Sequence, residues 1–464
     1  MNIYNTVADL CSLIINSCTE EFFVHYSCIS NAEKFRINEL VLEKVPLLFE
    51  TETERLRIFE VHQLSEEDLT EELFENINEL SQRFYKNKYY FAIVGLIQIL
   101  DEALETLLKK KIAEFQADDF SVVLNTNRET TGIGLLPRTS CVWERKHRLS
   151  HSYNRMDNFL FNMLLMENTI LGELIDKHFF LKKDLFPKFG EKRALKIAAT
   201  PLRLERRFEV VPYSEDKVQF FKIAYDESDH ESENKLVWEK ILAASEQESD
   251  IVVFPEMLGN PEMTDFITQK LKALSDEERE NIPSLIILPS FWEKKGNTVT
   301  ILDKFGDIIC RQSKQNPFRA DLNGTGYLEG ILSSLVVNIF HYEGIGRIAI
   351  LICKDFLTTK YMEQLMRCFK LTLIIVPSFS TGSYDFRQSS DLCAHDDCNV
   401  VWINTCAALE KGKEQNFENI GYVRKRISRT DDEAQRLCKM PICNGAFKGQ
   451  CSHKCIYYET ISGV

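Results

Sequence analysis

Hydrophobic and polar positions follow one rhythm up to about Gly190 and another after it. In the first part, Leu69, Leu73, Phe74, Ile77, Leu80 and Phe84 recur at helical spacing behind Ser65-Glu66-Glu67-Asp68. That tetrad reads as a capping box with Asp68 where Glu is more usual. Tyr89 to Phe115 reads as a second long helix, with Lys109-Lys110-Lys111 near its end, suiting the negative pole of the dipole. Ser121 to Ser140 carries Asn125, Asn127, Gly132, Gly134 and Pro137 and reads as a loop. Trp143 to Phe180 reads as a third helical region, with Phe159, Leu160, Met163, Leu164, Ile170, Leu171 and Leu174 on its core face. Phe186 to Lys192 marks the expected boundary. Beyond it, short apolar runs alternate with amphipathic stretches. Strands are expected at Leu195–Ala199, Ile251–Phe254, Ser284–Pro289, Thr298–Leu302, Ile308–Arg311, Leu335–Phe340, Ile348–Cys353, Leu371–Val376 and Asn399–Asn404. Helices are expected at Asn234–Ser245, Asp265–Leu274 and Tyr361–Phe369. Alternation of this kind predicts an α/β domain over 195–464 behind a mostly helical domain over 1–190. The polar segment Asp226–Glu233 reads as an exposed loop.

Composition narrows the function classes. At 464 residues, the chain has room for two or three domains. A net charge of −14 argues against a general nucleic-acid binder. The start of the chain lacks a basic n-region and a long apolar core, and the longest apolar run, Tyr89 to Leu100, is too short to span a bilayer. A cytoplasmic protein with reduced thiols is the expectation, despite 14 cysteines.

Three apolar runs end in groups that can do chemistry together. Asp250-Ile251-Val252-Val253-Phe254-Pro255-Glu256 ends in a carboxylate, Ile308 to Lys314 in an ammonium, and Ala349-Ile350-Leu351-Ile352-Cys353 in a thiol. Strand carboxyl ends are where α/β sheets usually place ligands. A thiol attacks a carbonyl carbon only when a base removes its proton or a cation stabilises its thiolate, and a fixed ammonium also stabilises an oxyanion.

The ordered set of blocks resembles the nitrilase, or carbon–nitrogen hydrolase, family over about Leu195 to Asn404. The blocks are Val253-Phe254-Pro255-Glu256; Ile286-Ile287-Leu288-Pro289-Ser290; Gly296-Asn297-Thr298; Asp303-Lys304-Phe305-Gly306; Lys314-Gln315-Asn316-Pro317-Phe318; Gly346 through Cys353-Lys354-Asp355; Ile374 through Ser378; and Ala394 through Asn404. The resemblance implies an α-β-β-α sandwich and an amidase- or nitrilase-type hydrolase. In such an enzyme Cys353 forms a thioester, Glu256 is the base and Lys314 stabilises the oxyanion. Glu329 stands for the family's second glutamate, with Asp321 as the fallback. The implied substrate is a small molecule, an amide rather than a nitrile. Lys354 occupies a place the family gives to an aromatic residue or glutamate, and Arg203 to Tyr225 replaces the usual segment after the first strand, so the substrate stays open. Family members commonly pair, and the helix Thr359–Phe369 has an apolar surface broad enough for both the sheet and a second copy, so at least a homodimer is expected.

Two further groupings have bland readings beside them. Cys438, Cys443, Cys451, His453 and Cys455 could hold zinc, although their spacing is not two close pairs; the alternative is incidental thiols and no cofactor. Arg145-Lys146-His147-Arg148-Leu149-Ser150-His151 faintly resembles the Arg/His motif of HEPN-type ribonucleases, or is a solvated basic helix start. On the HEPN reading, the N-terminal part is a ribonuclease or regulatory module with the nitrilase-like part as sensor or inactive binding domain. A role in cellular conflict, such as defence against phage, is one use for that arrangement.

Overall fold

The computed structural model describes residues 2–50, 59–117, 123–145, 153–202, 208–225, 230–322, 324–409, 414–426, 436–443, 445–448 and 455–462. The chain opens with six helices: α1 (Ile3–Ser17), α2 (Glu20–Ser27), α3 (Asn31–Lys44), α4 (Glu71–Lys86), α5 (Tyr90–Ala103) and α6 (Glu105–Phe115). Helix α5 is apolar almost all round. Ile93, Val94, Leu96, Ile97 and Leu100 are buried, and α1, α3 and α4 pack about it. The expected core face of α4 is buried at Leu73, Phe74, Ile77, Leu80 and Phe84. Its start is displaced: Thr70 caps it by accepting from the Leu73 amide, while Ser65 and Asp68 close a separate turn upstream. The single helix expected over 89–115 is two helices that meet at Leu104, where the Ala103 carbonyl turns out to accept from the Leu64 amide.

The helical reading of 143–180, and the loop reading of 121–140, miss three strands. β1 (Ile133–Pro137) pairs antiparallel with β2 (Met163–Glu167), and β3 (Ile175–Phe180) joins a large sheet further on. The cause is burial on both faces. Leu135, Met163 and Leu165 point into the helical core, whereas Leu136, Leu164 and Met166 point into the core of the α/β part. A ribbon apolar on both sides shows no period of two, and its Leu and Met residues mimic helix.

After β4 (Ala194–Ala199), the chain makes a hairpin of β5 (Phe208–Glu215) and β6 (Val218–Tyr225), then α7 (His230–Glu246), which takes up the end of the expected 226–233 loop; residues 226–229 lie outside the described residues. There follow β7 (Ile251–Val253), α8 (Met263–Lys272), β8 (Leu285–Ile287), β9 (Phe291–Glu293), β10 (Gly296–Asp303), β11 (Ile308–Ser313), β12 (Arg319–Leu322), β13 (Thr325–Glu329), β14 (Val336–Tyr342) and β15 (Gly346–Ile350). Then come α9 (Thr359–Phe369), β16 (Leu373–Pro377), α10 (Tyr384–His395), β17 (Asn399–Ile403), β18 (Gly421–Arg424), β19 (Leu437–Met440) and β20 (Tyr457–Ser462).

Two seven-stranded sheets result. One runs β11-β10-β8-β7-β4-β20, with β9 also on β10; the other runs β19-β18-β17-β16-β15-β14-β3. The trios β4-β7-β8 and β15-β16-β17 are parallel. Alternation in the first sheet sets the layers. Leu195, Ile197, Ile251, Val253, Leu285 and Ile287 enter the core shared with the second sheet. Ala198, Val252 and Ile286 face the other way, onto Val237 and Ile241 of α7 and Ile267 and Leu271 of α8. Leu365 and Phe369 of α9 and Phe386 of α10 pack on the second sheet. The order of layers is therefore the expected α-β-β-α sandwich. A third sheet, β12-β13-β6-β5, lies apart from the sandwich.

Helix α9 is covered in part by the chain itself. Tyr361, Met362 and Leu365 are buried, and Gln364 Nε2 donates to the Ile170 and Leu171 carbonyls. The chain's own segment before β3 covers part of the surface expected to serve a second copy, while Glu363 stays exposed and Met366 and Arg367 half-buried. Polar ties reinforce this docking. Arg347, wholly buried on β15, donates to both oxygens of Glu144 at 3.0 Å and to the carbonyls of Thr139 and Lys370. Lys370 reaches Asp157 at 2.9 Å, and the Trp143 indole donates to the Thr372 carbonyl.

Removing one member of a buried ion pair leaves an uncompensated charge, at a cost of about 3–5 kcal/mol. Glu144→Ala should therefore lower the unfolding free energy by about that amount, read as the shift of a urea transition. A loss under about 1 kcal/mol, the range of an exposed pair, would show that Arg347 does not depend on Glu144.

Candidate active site

The strand ends bring four of the expected side chains to one place. Glu256 follows β7 by three residues, Lys314 directly follows β11, Glu329 closes β13, and Cys353 begins the turn after β15. All four are nearly inaccessible to solvent. Lys314 Nζ lies 2.9 Å from Glu256 Oε1 and 2.8 Å from Glu329 Oε2. Asp321, the fallback for Glu329, is exposed on β12, where it accepts from the Gly324 amide in a turn.

Cys353 has φ +48°, and Met257, next to Glu256, has φ +69°. Left-handed backbone is uncommon for residues with a Cβ and must be held by its surroundings. At Cys353 the hold is visible. Asp355 accepts from the amides of Gln315 and Asn316 and from Asn316 Nδ2, so the turn bearing the thiol is bound to the loop bearing Lys314. Burial pushes the Asp355 carboxyl up to about 7, against the pull of those donors. At Met257 the amide donates to Ser290 Oγ at 2.9 Å.

Three donors fix Glu256. Asn297 Nδ2 and Lys314 Nζ share Oε1, at 2.7 and 2.9 Å, and the Phe379 amide takes Oε2 at 2.8 Å. The Phe379 carbonyl faces the Cys353 sulfur at 4.0 Å, so one residue after β16 touches both groups. Glu329 is held by the Phe318 amide at 2.8 Å. Asn297, Phe379 and Asp355 were absent from the residues expected at the site. Asn297 stood in the Gly296-Asn297-Thr298 block and Asp355 two places after Cys353, so both were in view without a role. Phe379 contributes backbone alone, which no side-chain pattern reports.

The charges act on one another. Burial would pull the Lys314 ammonium down, yet Glu256, Glu329 and Cys353 around it drive it well above its ordinary value. Burial raises the Cys353 thiol well above the ordinary range; Glu256 adds to the rise, Lys314 opposes it and Glu329 adds again. Burial also raises Glu329, with Lys314 pulling back and Glu256 pushing further. The set is thus a locked ammonium between two carboxylates, beside a thiol that stays protonated until a base takes its proton. It opens onto a cavity of about 600 Å³, whose lining includes Cys353, Lys314 and both glutamates.

The other groupings fall elsewhere. Cys438 lies on β19 beside Lys425 and Glu459, and Cys443 and Cys455 lie in the segments that follow; Cys451 and His453 lie outside the described residues. Among the described residues, no group of three or more His, Cys, Asp or Glu could hold a metal. Arg145 is not on a helix; its Nε donates to Asp397 at 2.7 Å and its Nη2 to the His395 carbonyl. His147, Arg148 and His151 lie outside the described residues. Among the described residues, no helix is long and apolar enough to cross a membrane.

No protein-family model and no curated protein matches the chain. Solved structures do. A glutamine-dependent NAD+ synthetase from Acinetobacter baumannii is 15% identical, with a TM-score of 0.38, over 58% of this chain and 46% of its own. The NitFhit protein of C. elegans is 15% identical, with a TM-score of 0.35, over 58% and 61%. A mutant amidase of Nesterenkonia AN1, from the nitrilase superfamily, is 14% identical, with a TM-score of 0.31, over 46% and 76%. The chain spans less than two thirds of the length of the synthetase and of NitFhit.

Proposed function

We propose that the chain is a hydrolase of non-peptide carbon–nitrogen bonds, acting on an amide through a Cys353 thioester. The observation that carries this is the buried Lys314 ammonium within 3 Å of both Glu256 and Glu329, at the base of the cavity that Cys353 lines. Glu256 takes the thiol proton as Sγ bonds to the carbonyl carbon. The C–N bond then breaks and the amine leaves with that proton. Water, deprotonated by Glu256, adds to the thioester, and Sγ leaves with that proton returned from Glu256 as the acid is released. Lys314 faces the oxyanion in both additions. Glu329 holds Lys314 in place and offsets its charge, so it is a positioning residue. The raised thiol suits such a cycle, since Cys353 is inert until Glu256 acts on it.

Cys353→Ala should abolish hydrolysis of every amide the wild type cleaves. Rapidly quenched wild type should gain the mass of the acyl group, on the peptide holding Cys353. Hydrolysis persisting in Cys353→Ala would end the proposal. The same site sets a pH test. With its thiol raised, Cys353 should react slowly with iodoacetamide at neutral pH, and the rate should still be climbing above the ordinary thiol range, because only thiolate reacts. Glu329→Gln removes a nearby negative charge, so the thiol should titrate lower and alkylation at neutral pH should quicken several-fold. A rate that levels off near the ordinary thiol value in wild type would contradict the raised thiol.

A further inference from the structure

Resting on the amidase reading, the geometry points to a substrate class: primary amides of acids with a bulky apolar acyl group. The cavity beside Cys353 has one wall that belongs to neither sheet of the sandwich. It is built by the third sheet, from β5 and β6 on one side and β12 and its approach on the other. Val210, Phe221, Ile223, Phe318, Ala320 and Leu322 present only hydrocarbon there. The sheet is anchored rather than loose. Phe221 and Ile223 pack with Met257, the neighbour of Glu256, and with Trp292. The hairpin lies in the stretch where the sequence departs from the nitrilase pattern, so this wall is the chain's own device.

Two sides of the scissile bond must be seated, and the site treats them differently. The leaving amine has to collect its proton from Glu256. That carboxylate is 2% exposed, with Oε1 held by Asn297 and Lys314 and Oε2 by Phe379, and an acid enclosed on both oxygens favours the smallest leaving group, ammonia. The acyl side faces the open volume. A cavity of about 600 Å³ lies in the range that holds a ligand of many heavy atoms, far more than a two-carbon acyl group fills. Burying each further methylene against the wall favours binding by about 0.8 kcal/mol, which converts to about fourfold.

The test is a homologous series of primary amides from acetamide to octanamide. In wild type, kcat/KM should climb about fourfold per methylene until the cavity is full. N-butyl amides of the same acids should be at least tenfold poorer. Val210→Ser and Leu322→Ser alter two wall residues that are not fully buried, and each should flatten the climb for the longer members. Binding of the same amides to Cys353→Ala, by calorimetry, separates the two readings. Affinity that rises with chain length in the absence of any turnover by wild type sustains the inference about the cavity and sinks the hydrolase reading. Turnover with acetamide as good as octanamide, or affinity independent of chain length, overturns the inference and leaves the hydrolase reading standing. A climb unchanged in both wall variants also overturns it.

Discussion

The ammonium of Lys314 is almost wholly withdrawn from solvent. Buried charges survive only when paired with good geometry, and Lys314 has a carboxylate on each side, at 2.9 and 2.8 Å. Two acids against one base leave the set with an excess of negative charge when all three are ionised. That excess adds to burial in raising the neighbouring thiol, whereas at Glu329 burial is the cause of the rise and the Lys314 ammonium works against it. The Phe379 amide meets the other oxygen of Glu256, and Asn297 and the Phe318 amide share with Lys314 the oxygens it holds. Much of the local architecture follows from this need. β7, β11, β13 and β16 must end together, and the strained turns at Met257 and Cys353 are the cost of aiming side chains into one point.

The central strands of the α/β part were legible because each has a distinct job on each face, whereas β5, β6, β9, β12, β13 and β18 to β20 were not expected. Ile251 and Val253 look to one core and Val252 to another, so a short β-branched run between polar turns could only be a buried strand. Glu256, Lys314 and Cys353 could be found as the ends of such runs, Glu329 only through the family resemblance, and Gly296-Asn297-Thr298 lies within the same ordered blocks. The segment before Gly190 was less legible for the opposite reason. β1 and β2 are apolar on both faces, and β3 gains its meaning only when β14 pairs with it in parallel, 161 residues away in register between Ile175 and Val336. No local pattern encodes a partner that distant. The backbone contribution of Phe379 was invisible for a simpler reason, since any residue at that position carries the same amide and carbonyl.

Those hidden strands explain how the helical unit and the sandwich form one body. The β1–β2 ribbon belongs to both cores at once, so neither core is closed without it. Arg347 brings a charge into that seam, and its guanidinium is satisfied only by groups from both sides, Glu144 and Thr139 from one and Lys370 from the other. Charge pairs at such a seam add little net energy over an apolar fit, but they penalise any other docking heavily, since an unpaired buried guanidinium is expensive. The seam is therefore selective in register as well as adhesive.

The seam and the site meet in α9. This helix starts four residues after Asp355 and carries the covering contacts from Gln364 and the buried Tyr361 and Met362. At its near end, Asp355 binds the loop of Lys314; at its far end, Lys370 closes the helix with φ +46° and reaches Asp157. A rigid helix anchored at both ends fixes the distance between them. The turn that bears Cys353 is thus held on one side by the lysine loop and on the other by a helix whose outer face the N-terminal segment covers. Positioning a nucleophile to within a few tenths of an ångström requires that its supports be packed and not free. On this argument the helical unit contributes to the site by immobilising α9, even though none of its residues lines the cavity.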